Sequence, residues 1–235
     1  MTDLEKLLVV QEHDTRNDQL RHRRASLPER NTLAGINAVI VDLDREAKTA
    51  TAERDGLAAK QERLEVDLTA DLRKSAELDR RMSQTVVPRE AEAFQAEAKV
   101  VAAHRSHLED DILAFMETIE PIEIRLGEIV AQRADLDARA ALARDDLARA
   151  EAVIDADAAD VSAARRAAAE GLPDTLLARY ERQRARLGGI AVARLEHGHC
   201  TGCNLEISRS ELDTLLARPP DALVECEHCG RLLVR

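Results

Sequence analysis

Aromatic side chains are nearly absent from this 235-residue chain: Phe94, Phe115 and Tyr180 are all it has, and there is no tryptophan. Aromatic rings normally supply much of a globular core's buried area, so their scarcity argues against one compact globule. Glycine and proline are scarce as well over residues 1–170, three of each, against six and three in the last 65 residues. No cysteine precedes Cys200. Nothing approaches the run of ~18 apolar residues that a membrane helix needs. The opening stretch, MTDLEKLLVVQEHD, is charged within three residues and lacks the apolar core of a secretion signal. These absences predict a soluble, cytoplasmic protein with no membrane partner, in a compartment where thiols stay reduced.

What the chain has in abundance is alanine, 40 residues, and charge, 34% of all residues. Ala, Leu, Glu, Asp and Arg in such proportion favour long helices packed edge to edge. High charge also favours disorder, but 45% hydrophobic residues in a regular spacing argue against it. The net charge of −11 is uneven. Residues 1–169 hold 25 Lys and Arg against 35 Asp and Glu, whereas residues 170–235 hold 9 against 10. An acidic shaft binds polyanions poorly, because such binding rests on cations that displace counterions. Any nucleic-acid contact therefore falls to the tail.

The shaft obeys a 3-4 spacing. From Ile36 through Ile40 and Leu43 to Leu78 and Met82, ten of fourteen seam positions are apolar. From Phe94 through Val101, Leu108, Ile119, Ile129 and Leu136 to Val161, seventeen of twenty are apolar, without a slip in register. Such a seam predicts a left-handed coiled coil. Between the two runs lies MSQTVVPRE, with Pro88 suited to the first turn of a helix. A link this short makes the helices antiparallel neighbours, paired over ~80 Å. Pro28 should break the path behind a first helix that pairs with 141–170 at the base, and Pro121 should bend the return helix without ending it. The polar seam residues Arg54, Arg105, Arg133 and Asp157 read as snorkelling or register-setting side chains.

The architecture changes near AAAEGLPD, where Gly171 suits a helix C-terminus and Pro173 a new start. The predicted fold is thus mainly α: a long antiparallel coiled-coil hairpin over 1–170, turning near 83–88, then a neck helix and a small ribbon over 171–235. The ribbon carries Cys200, Cys203, Cys226 and Cys229 in the pattern C-x2-C-x22-C-x2-C. Paired CxxC turns aim backbone N–H groups at sulfur and close a tetrahedron of thiolates, the pattern of a structural zinc site. Iron fits the same sulfur cage, while a redox CxxC would need a βαβ context that is missing. One zinc per chain is expected, in a closed shell with no open catalytic position. Strands are predicted near 190–197, 222–225 and 231–234, with a short helix over SRSELDTLLAR capped by Ser208 or Ser210.

The tail contains arginine and no lysine. Arg179, Arg182 and Arg186 share one face of the neck helix, and Arg194, Arg209 and Arg231 follow. Arginine is the planar, bidentate choice for phosphate, so these six are candidate contacts to nucleic acid or another partner. The alternative is a solvated face balanced by ten acidic residues and by the charge of the metal centre. No Ser/His/Asp or Cys/His arrangement and no phosphate-cradling glycine loop is present, so no enzyme activity is expected.

The stretches LLARYERQRARLGGIAVARLEHGHCTGCNLEIS and VECEHCGRLL, behind a long helical hairpin, resemble the bacterial coiled-coil proteins with a C-terminal four-cysteine zinc ribbon. The resemblance implies a regulatory adaptor that binds nucleic acid or transcription-associated proteins. It implies protein partners along the hairpin and the four cysteines as metal ligands. A purely structural scaffold, with all recognition through the hairpin arm, is the other reading.

Overall fold

The computed structural model describes residues 2–219 and 222–235. Its contacts divide the chain into two compact units, Thr32–Ala143 and Met1–Asn31 with Arg144–Arg235. Three long helices run through them: α1 (Asp3–Ala25), α2 (Pro28–Gln84) and α3 (Pro88–Ala169).

Proline opens both of the longer helices, where its missing N–H costs nothing. The helices of unit Thr32–Ala143 are antiparallel. Ile40 and Leu43 pack on Ile129, Leu136 and Ala140, with Leu33, Ile36 and Ala47 flanking them. Ion pairs cross the seam in matching order: Asp44 with Arg133 at 3.0 Å, Glu46 with Arg125 at 2.7 Å, and Lys74 with Glu97 at 2.9 Å. Arg133 snorkels out of its seam position to reach Asp44 and Asp137. His104, one turn from His107, is occupied by Asp71. α3 runs unbroken through Pro121.

The second unit is built around α1. Thr2 caps it in a reciprocal box with Glu5, and His22, Arg23 and Arg24 complement the dipole in its last turn. Its C-terminal half meets the end of α3 as the sequence predicts: Leu20 and Leu27 pack on Ile154, bordered by Leu147, Ala150, Ala158 and Val161. Arg24 binds Asp155 at 2.8 Å, and Arg30 binds Glu151. Its first three turns also meet the ribbon. Leu4, Leu7, Leu8 and Val10 join Leu172, Leu176 and Tyr180 beneath Ala191, Val192, Leu232 and Val234 of the ribbon. Asp14 and Asn17 interrupt the apolar stripe with polar contacts to Arg165 and Ser162 of α3, and the residues before them pack on Ala168 and Ala169 at the end of α3 as well as beneath the sheet. Contacts group the segment Met1–Asn31 with Arg144–Arg235.

Gly171, with φ of +76°, ends α3. The neck helix α4 (Asp174–Arg186) follows, then β1 (Val192–Glu196), β2 (His199–Cys200), α5 (Arg209–Leu216) and β3 (Leu232–Val234). β1 is central, antiparallel to β2 and parallel to β3. The strand expected at 222–225 is reduced to a bridge between Glu225 and Leu232, plus a bond from Leu233 N–H to the Val224 carbonyl. Cys226 starts a turn directly after it and leaves too few residues for a ladder. α5 is capped by Ser208, whose hydroxyl accepts from Glu211 N–H at 3.3 Å.

Candidate metal centre

The four cysteine sulfurs lie within 4.8 Å of one another, and Cys200 and Cys226 are buried. The two turns that present them have the same wiring. Cys200 N–H donates to the Leu205 carbonyl and Asn204 N–H returns to the Cys200 carbonyl at 2.8 Å. Cys226 N–H donates to the Arg231 carbonyl and Gly230 N–H returns to the Cys226 carbonyl at 2.7 Å. Each loop thus closes five residues on, and the fourth residue after each leading cysteine is left-handed: Asn204 at φ +57° and Gly230 at φ +72°. Glycine and asparagine are the residues that tolerate this conformation.

Electrostatics within the cluster follow from burial and from these loops. Burial raises the Cys200 thiol against the N–H groups of Gly202 and Cys203, which aim at its sulfur. Burial likewise pushes Cys226 up to about 12, against the N–H groups of Cys229 and His228. At Cys229 burial is outweighed by the backbone N–H and guanidinium of Arg231, with help from the neighbouring thiols, and the group is held down at about 7. Backbone donors and a guanidinium aimed at sulfur favour thiolate, the form that ligates metal.

The residues fit a tetrahedral metal. Cys200 Sγ lies 3.9 Å from Cys229 Sγ, and Cys203 Sγ lies 3.9 Å from Cys226 Sγ. Zinc–sulfur bonds of ~2.3 Å set a tetrahedron with edges of ~3.8 Å, whereas a disulfide would need ~2.05 Å. His197, His199 and His228 are exposed and stand outside the sulfur cluster.

The candidate arginines are scattered among different duties. Arg179 pairs with Glu225 at 2.8 Å. Arg231 is half-buried and donates through Nε to the Ile190 carbonyl at 3.0 Å. Arg182, Arg186, Arg194 and Arg209 are exposed. Arg184, near the predicted stripe, is taken up by Asp18 at 2.5 Å.

A polar latch under the ribbon escaped the sequence reading. Gln11, buried on α1, accepts from Ala191 N–H and Val192 N–H at 2.7 Å each and donates to the Val192 carbonyl at 2.9 Å. One turn on, buried Asp14 accepts from the Tyr180 hydroxyl at 2.7 Å and from Arg165 Nε at 2.9 Å. Burial, and then the bond to Asp14, raises the Tyr180 phenol well above its ordinary range. The available signal was two polar residues at helical spacing inside the stripe Leu4–Leu7–Val10. Nothing local says that β1 lies opposite.

Two family models match the sequence: a CT398-like coiled-coil hairpin domain over residues 10–188 and a C4-type zinc ribbon domain over residues 199–233. The fold is similar to a solved structure from Mycobacterium smegmatis, with a TM-score of 0.85 at 23% identity and 100% of both chains covered. It is also similar to CT398 from Chlamydia trachomatis, with a TM-score of 0.77 at 20% identity over 99% of this chain and 97% of that one. Among curated proteins, one from Mycobacterium tuberculosis strain H37Rv is 35% identical over 128 residues, 48% of this chain and 52% of that protein. The chain thus spans about half the length of the curated relatives it matches.

Proposed function

This chain belongs to the CT398-like coiled-coil hairpin family, and from that premise and its geometry we propose a non-catalytic adaptor. Cys200, Cys203, Cys226 and Cys229 hold one structural zinc that closes the ribbon; the hairpin arm binds protein partners. The neck helix and ribbon offer exposed Arg182, Arg186, Arg194 and Arg209 to nucleic acid or transcription-associated proteins in a regulatory role. The observation that carries this reading is the shared core. β1 and β3 are buried against α1 and α4, and four thiol sulfurs lie within 4.8 Å of one another, the number a closed tetrahedral zinc site takes. The cluster therefore completes a fold and leaves no position for a substrate.

A scaffold without nucleic-acid contact is favoured by a different observation: Arg179 is ion-paired within the fold and Arg231 is bonded to a backbone carbonyl. The two readings separate in one titration of the intact chain against labelled RNA and DNA over a salt series. The adaptor gives a log K that falls with log salt, with a slope reduced by about 1 for each of Arg182→Ala, Arg194→Ala and Arg209→Ala. No binding at low salt leaves the scaffold.

A further inference from the structure

Arg231 leaves the second cysteine loop and crosses the first. A Cβ placed on Gly202 would collide with Arg231 Cδ, and would meet its Nε at 3.1 Å and the Ala193 side chain at 3.0 Å. Only a residue without a side chain leaves the guanidinium this path. At its end Nε donates to the Ile190 carbonyl at 3.0 Å, just before β1. The backbone of the same residue closes the second loop, its carbonyl accepting from Cys226 N–H at 2.9 Å. One half-buried residue thus touches both cysteine loops and the lead into the central strand.

Residues that are not ligands themselves fix the orientation of the loops that carry the ligands. We propose that Arg231 is a positioning residue of the metal centre: its stem, laid across Gly202 and anchored at the Ile190 carbonyl, holds the two cysteine loops together. This rests on the reading of the cluster as a zinc site. It moves Arg231 from the candidate partner contacts to the metal. Lysine replaces it only in part, because a point ammonium lacks the Nε–H that the planar guanidinium aims at the Ile190 carbonyl. Arg186 is a natural control: one of its terminal nitrogens approaches Gly230, 3.1 Å from where a Cβ would stand, but the side chain is exposed.

The test follows zinc transfer from the intact protein to a chromophoric chelator, beside the absorption spectrum of the cobalt-substituted protein. Arg231→Gln should weaken zinc affinity 10- to 100-fold, the usual effect of losing a group that orients the ligands. Arg231→Lys should recover only part of this, Arg186→Gln should change it less than about threefold, and helix content should be unchanged throughout. Zinc affinity of Arg231→Gln within twofold of the parent, with an unaltered cobalt spectrum, would overturn the proposal. Equal losses in Arg231→Gln and Arg186→Gln would overturn it too, since a general charge effect would then suffice. A parent chain that binds neither zinc nor cobalt would sink the metal reading itself, and this inference with it.

Discussion

Removing the Gln11 side chain should loosen the ribbon from the helix beneath it. In Gln11→Ala, the Ala191 N–H, Val192 N–H and Val192 carbonyl all lose their partner. Ala191 and Val192 are 0% and 1% exposed, so water cannot readily replace the amide. Each orphaned buried group costs about 1–3 kcal/mol; three at the low end of that range give about 3 kcal/mol, before any lost packing. The gain in helix propensity from glutamine to alanine is only a few tenths of a kcal/mol and does not offset this. The assay is built into the chain. Tyr180 is its only tyrosine and there is no tryptophan, and Tyr180 is fully buried in the same core. Its emission during urea denaturation, with zinc present, reports the unfolding of this unit. Gln19→Ala, at an exposed site on the same helix, is the control and should stay within about 0.5 kcal/mol of the parent. If Gln11→Ala lies that close to the control, the bonds from α1 to β1 contribute nothing and the reasoning is wrong.

Tyr180→Phe removes one hydrogen bond to the buried Asp14 carboxylate, while Arg165 still holds the acid. The expected loss is about 1.5–3 kcal/mol, read by circular dichroism because the fluorophore is gone. The metal-free protein should have a characteristic pH profile. Cys200 and Cys226, the latter pushed up to about 12, keep their protons in the folded state. Above the ordinary thiol value of about 8.5, the unfolded chain releases protons that the folded one retains, and stability falls as pH rises toward about 12. Cys229 acts in reverse: held at about 7, it contributes stability above about 8.5 that is lost as pH falls through about 7. Urea midpoints in chelator should fall on both sides of about pH 8.5. Metal-loaded protein should lack the alkaline fall; a fall that persists in Cys226→Ser would assign it to other groups.

Features written in local spacing were legible from the chain. The seams around Ile40 and Ile129 repeat every seven residues, and Pro28 and Pro88 open helices where a missing N–H is harmless. The cysteine loops needed only two CxxC pairs and their glycines. What stayed hidden involves partners far apart in sequence. Gln11 meets Val192 181 positions away, and a polar residue on an apolar stripe reads equally well as a weak seam. The same ambiguity affected the arginines. Arg231, Arg182 and Arg209 are one residue type in one arginine-containing, lysine-free tail, yet only the first turns inward, because Gly202 leaves it a path. Strand lengths were unreadable for another reason: the loop that begins at Cys226 cuts the segment before it down to one bridge, at Glu225.

The central claim is that a metal bound by four thiols completes a ribbon whose remaining stability comes from α1 and α4. The most direct measurement is the zinc content of the intact purified chain, taken with hydrogen exchange at the Ala191 and Val192 amides before and after chelation. The account predicts one zinc per chain and slow exchange that quickens when the metal is withdrawn. Well below one zinc per chain, with those amides still protected, would contradict it.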